Sequence, residues 1–213
     1  MIRQHRSQGF TLIELLVVMA IIATLASLGA VAIPAQIRRA QRTSCQDKLK
    51  QIGTLLRGYE MDYKGLPKAD GAAFVMAIWG RGVDKNVKDA ELFFCPSTGN
   101  RPAEDLSNIT PAGIDFTGPD LSNYKSRNWI SMSDRNAGIT GIVGNKIPSP
   151  NDGRPIDEVK KDLPHKGYGV CILYLNGVTD WVPSEDFPDE IPVYGPDSQS
   201  EKLRLLKPGF GDE

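Results

Sequence analysis

The sequence is poor in the residues that build most metal sites. Its 213 residues include only three cysteines and two histidines. No two cysteines are spaced as C-x-x-C, the spacing typical of zinc sites, so we expect no bound zinc. Cys45, Cys95 and Cys171 lie far apart along the chain. Their odd number predicts one disulfide and one free thiol if the domain is exported.

An excess of charge of one sign is also lacking. The net charge is −1 and aromatic residues make up 8% of the chain. Clusters of Lys and Arg with interleaved aromatics do not occur, which disfavours nucleic acid as a partner. The charge is uneven, with seven basic and three acidic residues at 34–64 and eight acidic and three basic residues at 183–213. This asymmetry is typical of a nucleic-acid or phospholipid contact, or of opposed faces of a soluble surface.

A catalytic motif is lacking as well. His165 is the only histidine after the first ten residues, and no Ser or Cys stands beside it in a nucleophile motif. A catalytic triad therefore has no support, and we expect a protein without enzymatic activity. We interpret His165 as a residue that caps or orders the entrance of a hairpin.

What the chain does have is one long apolar run. Residues 15–33 are 19 residues without a charge, about the length of a membrane span. The Leu, Ile and Val of this run favour insertion by about 3–6 kcal/mol, whereas Glu14 at its start costs at most about 3.5 kcal/mol. Insertion is therefore expected. Arg3 and Arg6 precede the run and predict a cytoplasmic N-terminus.

An ordinary secretory signal is the alternative for this run. Ala30-Val31-Ala32 matches an A-x-A cleavage site, after which Ile33 would begin the mature protein. The apolar stretch 10–32 is, however, longer than the roughly 7–15 residues of such a signal, and it carries a carboxylate near its start.

The segment GFTLIEL, residues 9–15, resembles the cleavage motif of type IV pilins and type II secretion pseudopilins. The resemblance implies that a prepilin peptidase cuts between Gly9 and Phe10 and methylates the new amine of Phe10. It also implies that the helix stays on the protein and polymerises, with Glu14 pairing with the Phe10 amine of a neighbouring subunit. A buried carboxylate needs such a positive partner. The alternative is a Glu14 that reaches the membrane interface or pairs with its own Phe10 amine.

A second helical pattern follows the apolar run. Pro34 predicts a kink or a local opening. Beyond it, apolar residues recur in steps of 4, 3, 4, 3 and 4 residues, which predicts an amphipathic helix up to residue 64. The members of this stripe are Cys45, Leu49, Ile52, Leu56, Tyr59 and Tyr63.

Short elements are predicted after residue 67. Asp70 is a candidate cap of a short helix, residues 91–96 read as a strand ended by proline, and residues 99–125 read as a loop. Residues 128–132 and 139–147 are candidate strands.

The strongest local signal is a hairpin at the Asn176-Gly177 pair. This pair separates β-rich runs at 168–175 and 178–182, which predicts two antiparallel strands joined by a tight turn. The fold class is therefore α+β, a long N-terminal α-helix packed on a small antiparallel β-sheet. The expected organisation is a leader at 1–9, a transmembrane and assembly helix at 10–33, a stalk helix at 34–64, a soluble domain at 65–182 and an acidic, proline-rich tail at 183–213.

The soluble part carries a second resemblance. Residues 45–53 and 94–97 resemble segments of pilin-like proteins of Planctomycetes and Verrucomicrobia. The run from His165 to Asn176-Gly177 is similar to the His-x(9–10)-Asp-Gly hairpin of those proteins. Here Asn176 replaces the aspartate, which suits the turn but removes a carboxylate.

Two further expectations concern cross-links and ions. A disulfide of Cys95 with Cys171 or Cys45 is favoured among the three pairs. No cofactor is expected, with calcium as the alternative, because major pseudopilins commonly hold calcium in a loop and residues 151–158 are acidic. The spacing of those acidic residues does not match an EF-hand loop.

The resemblance to prepilins implies a structural pilin-like subunit of a type II secretion pseudopilus. Together with the apolar run it implies an anchor in a bacterial inner membrane, with a single span and a periplasmic soluble domain. The expected partners are other pilin-like subunits, in a homo- or hetero-polymer, prepilin peptidase, and an inner-membrane assembly platform with its ATPase. The alternatives are a type IV pilus subunit for adhesion, motility or DNA uptake, and a membrane-anchored binding domain that does not polymerise.

Overall fold

The computed structural model describes residues 10–79, 87–102, 109–119, 141–145 and 164–184. The chain divides into two compact units, Met1–Arg39 and Ala40–Glu213. Several predictions lie outside the described residues: the leader with Gly9, the candidate strand at 128–132, the acidic loop at 151–158 and the tail from residue 185 onward.

Helix α1, Leu12–Tyr63, begins in the first unit and continues through Pro34. Its side chains in the first unit are largely apolar and exposed, as Leu12 (81%) and Ile13 (70%) illustrate. Among the residues that the structure describes, no helix is long and apolar enough to cross a membrane. The span at 10–33 therefore stays a prediction.

The second half of helix α1 carries the predicted apolar stripe. Cys45, Leu49, Ile52 and Leu56 are all fully buried, as their spacing predicted. The burial of the stripe decreases toward the end of the helix, where Tyr63 is 55% exposed. The helix ends there in a tight cap, because Lys64 adopts a left-handed φ of 55° and the N–H of Gly65 donates to the carbonyl of Glu60 at 3.1 Å.

Short helices follow helix α1. Helix α2 is Gly71–Met76 and helix α3 is Val87–Ala90. Single 3₁₀ turns occupy Glu91–Phe93 and Pro111–Gly113. Asp70 stands at the N-cap position of α2, as predicted, but its side chain makes no capping hydrogen bond.

The strand predicted at 91–96 is wrong, because this segment begins with a 3₁₀ turn. The ammonium of Lys48, on helix α1, donates to the carbonyl of Glu91 at 2.6 Å and to that of Phe94 at 2.8 Å. The carbonyl of Phe93 accepts from the N–H of Asp115 at 3.0 Å. The carbonyl groups of this segment are therefore hydrogen-bonded to distant residues, whereas in a strand they would bond to a neighbouring strand.

Within the part of the chain that the structure describes, the sheet has four antiparallel strands in the order β1-β2-β3-β4. They are β1 (Phe116–Thr117), β2 (Gly141–Asn145), β3 (Gly169–Tyr174) and β4 (Thr179–Pro183). The predicted strand at 139–147 is thus confirmed as β2, and the α+β class is confirmed. Strand β1 lies where a loop was predicted, because two residues are too short to show a periodicity.

The predicted hairpin is confirmed as β3 and β4, with a different turn. Tyr174 accepts from the N–H of Gly177 at 2.9 Å, and its own N–H donates to the carbonyl of Val178 at 2.8 Å. The loop therefore has three residues instead of two, and Gly177, at a φ of 85°, occupies the left-handed position that closes such a loop. The carbonyl of Asn176 accepts from the guanidinium of Arg57, on helix α1, at 3.0 Å.

The described residues of the second unit share a hydrophobic core. Helix α1 and strand β3 approach closely there, since a Cβ added at Gly53 would lie 3.1 Å from Cδ1 of Leu173. Alternate residues of β3 belong to this core together with the buried stripe of α1. The largest fully buried aromatic members are Phe74, Phe93 and Phe116.

Candidate functional site

The start of helix α1 is held by a reciprocal pair of side chains. The N–H and the hydroxyl of Thr11 donate to Oε2 of Glu14 at 2.8 and 2.7 Å, and the N–H of Glu14 donates back to the Thr11 hydroxyl at 3.4 Å. This is a capping box, in which Thr11 occupies the N-cap and Glu14 the third helical position. The sequence analysis did not identify Thr11, although the spacing T-x-x-E is the sequence pattern of a capping box.

Phe10 directly precedes this cap and is 79% exposed. The two residues predicted to serve assembly, Phe10 and Glu14, therefore lie together at one exposed helix start. The apolar surface continues along the helix, with Leu15, Leu16 and Ile22 all more than half exposed. A continuous apolar surface of this kind marks contact with protein or membrane.

The family model of the prokaryotic N-terminal methylation motif matches residues 4–30. The N-terminal part of the chain carries this methylation motif. The match includes Gly9, Phe10 and Glu14, and it lies within the first unit, Met1–Arg39. Comparisons of the chain with curated proteins and with solved structures find no match. The finer resemblance of the soluble part, including the His-x(9–10)-Asp-Gly hairpin, stays a prediction.

The second unit brings four other sequence-predicted residues together. Cys45, Cys95, Cys171 and His165 are all buried, and we call them the Cys/His cluster. Sγ of Cys95 lies 3.2 Å from Sγ of Cys45 and 3.4 Å from Nε2 of His165. Nε2 of His165 lies 3.7 Å from Sγ of Cys171. Cys95 thus has Cys45, one of its two predicted disulfide partners, directly beside it, and the disulfide itself stays a prediction.

Asp115 holds the turn that carries Cys95. Its carboxylate accepts from the N–H of Cys95 at 2.8 Å, from the Thr98 hydroxyl at 2.6 Å and from the Asn100 amide at 2.6 Å. The side chain is only 5% exposed. A buried carboxylate with three donors fixes the backbone that surrounds it.

His165 enters the cluster from an unusual backbone conformation. It lies in the 3₁₀ segment Pro164–Gly167, directly before β3, with a φ of 55° and a ψ of 32°. A left-handed backbone costs a residue other than glycine about 1–3 kcal/mol, and such residues concentrate at functional sites. The His165 N–H donates to the Ser97 hydroxyl at 3.0 Å. The ring of Trp181 packs edge-to-face on its imidazole, with the centroids 5.0 Å apart.

Two polar side chains touch the sulfur atoms. The amide nitrogen of Asn145 lies 3.5 Å from Sγ of Cys45, and its Oδ1 accepts from the N–H of Cys171 at 2.8 Å. The Ser97 hydroxyl lies 3.0 Å from Sγ of Cys95. Sequence reasoning did not single out Asn145, because a lone asparagine in a strand carries no local signal.

The surroundings of Cys45 and Cys95 favour the neutral form of these two thiols. Burial raises the pKa of Cys45 well above its ordinary value. The neighbouring Cys45 thiol and then burial raise the pKa of Cys95. Both groups therefore keep their protons at neutral pH unless a positive charge enters the cluster.

Proposed function

We propose that this chain is the precursor of a structural, non-enzymatic subunit of a type II secretion pseudopilus. Prepilin peptidase cleaves it between Gly9 and Phe10 and methylates the new amine of Phe10. The observation that carries the proposal is the match of the N-terminal methylation motif to residues 4–30. The exposed apolar surface of the helix that follows supports it, because a soluble chain rarely keeps such a surface in water.

Before assembly, residues 10–33 lie in the inner membrane with the N-terminus in the cytoplasm. An assembly platform and its ATPase then move the subunit out of the bilayer, and helices of neighbouring subunits replace the lipid around the apolar side chains. The resulting filament is a homo- or hetero-polymer of pilin-like subunits. No cofactor is required for this structural role.

Glu14 has two tasks in this mechanism. Within its own chain it caps the helix through Thr11. A carboxylate offers about four acceptor positions, so the cap leaves capacity for the amine of Phe10 on a neighbouring subunit. That ion pair compensates the burial of the carboxylate in the filament and sets the axial register of the subunits.

The replacement of Glu14→Gln separates the two tasks. Glutamine also serves at this position of a capping box but carries no charge. We expect the variant to be processed normally and to form at least about tenfold fewer filaments, since a loss of about 1.4 kcal/mol per contact is tenfold in affinity. Filaments are counted by electron microscopy after expression with the assembly machinery of the host.

The matched control is Thr11→Ala, which removes the cap partner and keeps the charge of Glu14. It should lower the stability of the helix start by about 1 kcal/mol and leave filaments abundant. Normal filament numbers in Glu14→Gln would refute the ion pair. Deletion of the gene tests the secretion role separately, because it should leave folded exoproteins in the periplasm; a loss of surface motility instead would favour a type IV pilus.

A further inference from the structure

We infer that Cys45, Cys95, Cys171 and His165 form a binding site for one divalent, thiolate-preferring metal ion of the zinc class. This site lies in the second unit and is independent of the proposed processing and polymerisation of the N-terminal helix. The spacing of the cysteines along the chain argued against zinc. The fold brings three thiols and one imidazole nitrogen to the same place.

The distances from His165 to two of the sulfurs are close to those of a four-coordinate site. Zinc bonds of about 2.3 Å to sulfur and 2.0–2.1 Å to nitrogen place tetrahedral ligands about 3.5–3.8 Å from one another. Nε2 of His165 lies 3.4 Å from the sulfur of Cys95 and 3.7 Å from that of Cys171. The donor atoms of Cys45, His165 and Cys171 all lie within 4.8 Å of one another. The sulfurs of Cys45 and Cys95 lie 3.2 Å apart, so a metal ion bound to both would move them about half an ångström further apart.

The donors are presented by four separate segments of the unit. Cys45 comes from helix α1, Cys95 from the turn after Glu91–Phe93, His165 from the hairpin entrance and Cys171 from strand β3. A metal bound to all four would tie helix α1 to the hairpin. This is the arrangement of a structural Cys₃His site, in which all coordination positions are filled by protein.

The polar side chains beside the cysteine sulfurs are of the kind that stabilise metal-bound thiolates. Asn145 and Ser97 place polar groups within 3.5 Å of the Cys45 and Cys95 sulfurs, where N–H and O–H donors stabilise a thiolate. The hydroxyl of Ser97 also accepts from the backbone N–H of His165 at 3.0 Å and so fixes the backbone that carries the imidazole. A purely apolar cluster of thiols would need neither these groups nor a histidine turned inward.

A disulfide between Cys45 and Cys95 is the rival for the same sulfurs. It would use two of the four donors and leave Cys171 and His165 without a shared role. A metal ion uses all four, and it supplies the positive charge that replaces the protons of buried thiols.

The test uses the full-length chain, purified in mild detergent under anaerobic conditions. We expect about one zinc per chain by elemental mass spectrometry, and all three thiols should resist alkylation until a chelator is added. Replacement of zinc by cobalt(II) should give the intense visible bands of a tetrahedral ion. The intensity of the sulfur-to-cobalt charge-transfer band should correspond to three thiolate ligands. A Cys45–Cys95 disulfide in the isolated protein, or no metal uptake by the reduced protein, would overturn the inference.

Variants assign the ligands. Loss of a residue that only hydrogen-bonds to a metal ligand weakens metal binding by roughly 10- to 100-fold. Cys171→Ser and His165→Gln each remove a ligand and should weaken zinc binding by more than this. The control Trp181→Phe alters the packing on His165 without removing a donor, and it should bind zinc as the parent does. If a ligand variant fails to fold, the number of thiolates in the cobalt spectrum of the parent still decides, and fewer than three would contradict the site.

Discussion

Asp115 shows at the scale of one residue how much of the second unit depends on a buried carboxylate. It binds the backbone of Cys95 and the side chains of Thr98 and Asn100. The sequence reasoning placed this residue in a loop and assigned it no role. Its partners lie 15 to 20 positions away, so no local pattern could reveal them.

Replacement of Asp115→Ala should therefore destabilise the protein. It leaves the buried N–H of Cys95 without an acceptor, which costs about 1–3 kcal/mol. We expect a lower midpoint of urea unfolding, followed by tryptophan fluorescence of the full chain in detergent. Asp47→Ala, at an exposed position of helix α1, should change the free energy of unfolding by less than about 0.5 kcal/mol. Equal midpoints for the two variants would show that Asp115 is dispensable.

Glu14 illustrates the opposite case at the same scale. Its position four residues after Phe10 was readable as part of the processing motif, and the comparison with the family model agrees. Its partner within the chain, Thr11, became evident only from the distances between their atoms. Glu14 belongs to both the capping box and the processing motif because the third position of the helix coincides with the glutamate position of the motif.

At the scale of elements, helix α1 was the most predictable part of the second unit. The spacing of Cys45, Leu49, Ile52 and Leu56 predicted one buried face, and all four are fully buried. Helical periodicity is a property of the local chain, so it survives in the sequence whatever packs against it. The segment at 91–96 was mispredicted because Lys48, on another element, takes up its carbonyl groups.

The buried face makes a quantitative prediction. Ile52→Ala removes a fully buried side chain from the core and should lower the free energy of unfolding by about 2–5 kcal/mol. Thr54→Ala, exposed on the same helix, is the matched control and should change it by less than about 0.5 kcal/mol. Urea unfolding of both variants measures the difference. A decrease in the free energy of unfolding of less than about 1 kcal/mol for Ile52→Ala would contradict the burial of the Ile52 side chain in the core.

At the scale of the whole molecule, the two units have different chemistry. The first presents an exposed apolar helix with the methylation motif, and the second has its own hydrophobic core and the Cys/His cluster. The proposed assembly therefore concerns the first unit, and the inferred metal site lies in the second. The two proposals can fail independently.

Processing is the property of the whole chain that is simplest to measure. The mass of the protein isolated from cells that contain prepilin peptidase should correspond to a chain that begins at Phe10 and carries one added methyl group. In a strain without the peptidase, the mass should be that of the full precursor. A mature protein that begins at Ile33 would instead support ordinary signal cleavage and remove the assembly helix from the mature chain.

The sequence by itself determined the features whose signals are local. These are the apolar run with its processing motif, the amphipathic stripe of helix α1 and the hairpin around Asn176-Gly177, because periodicity and turn chemistry act over a few neighbouring residues. Only the tertiary structure decided which distant residues meet. The Cys/His cluster joins positions 45, 95, 165 and 171 because the buried face of α1, the turn held by Asp115 and strand β3 pack into one core, and no spacing rule records that packing.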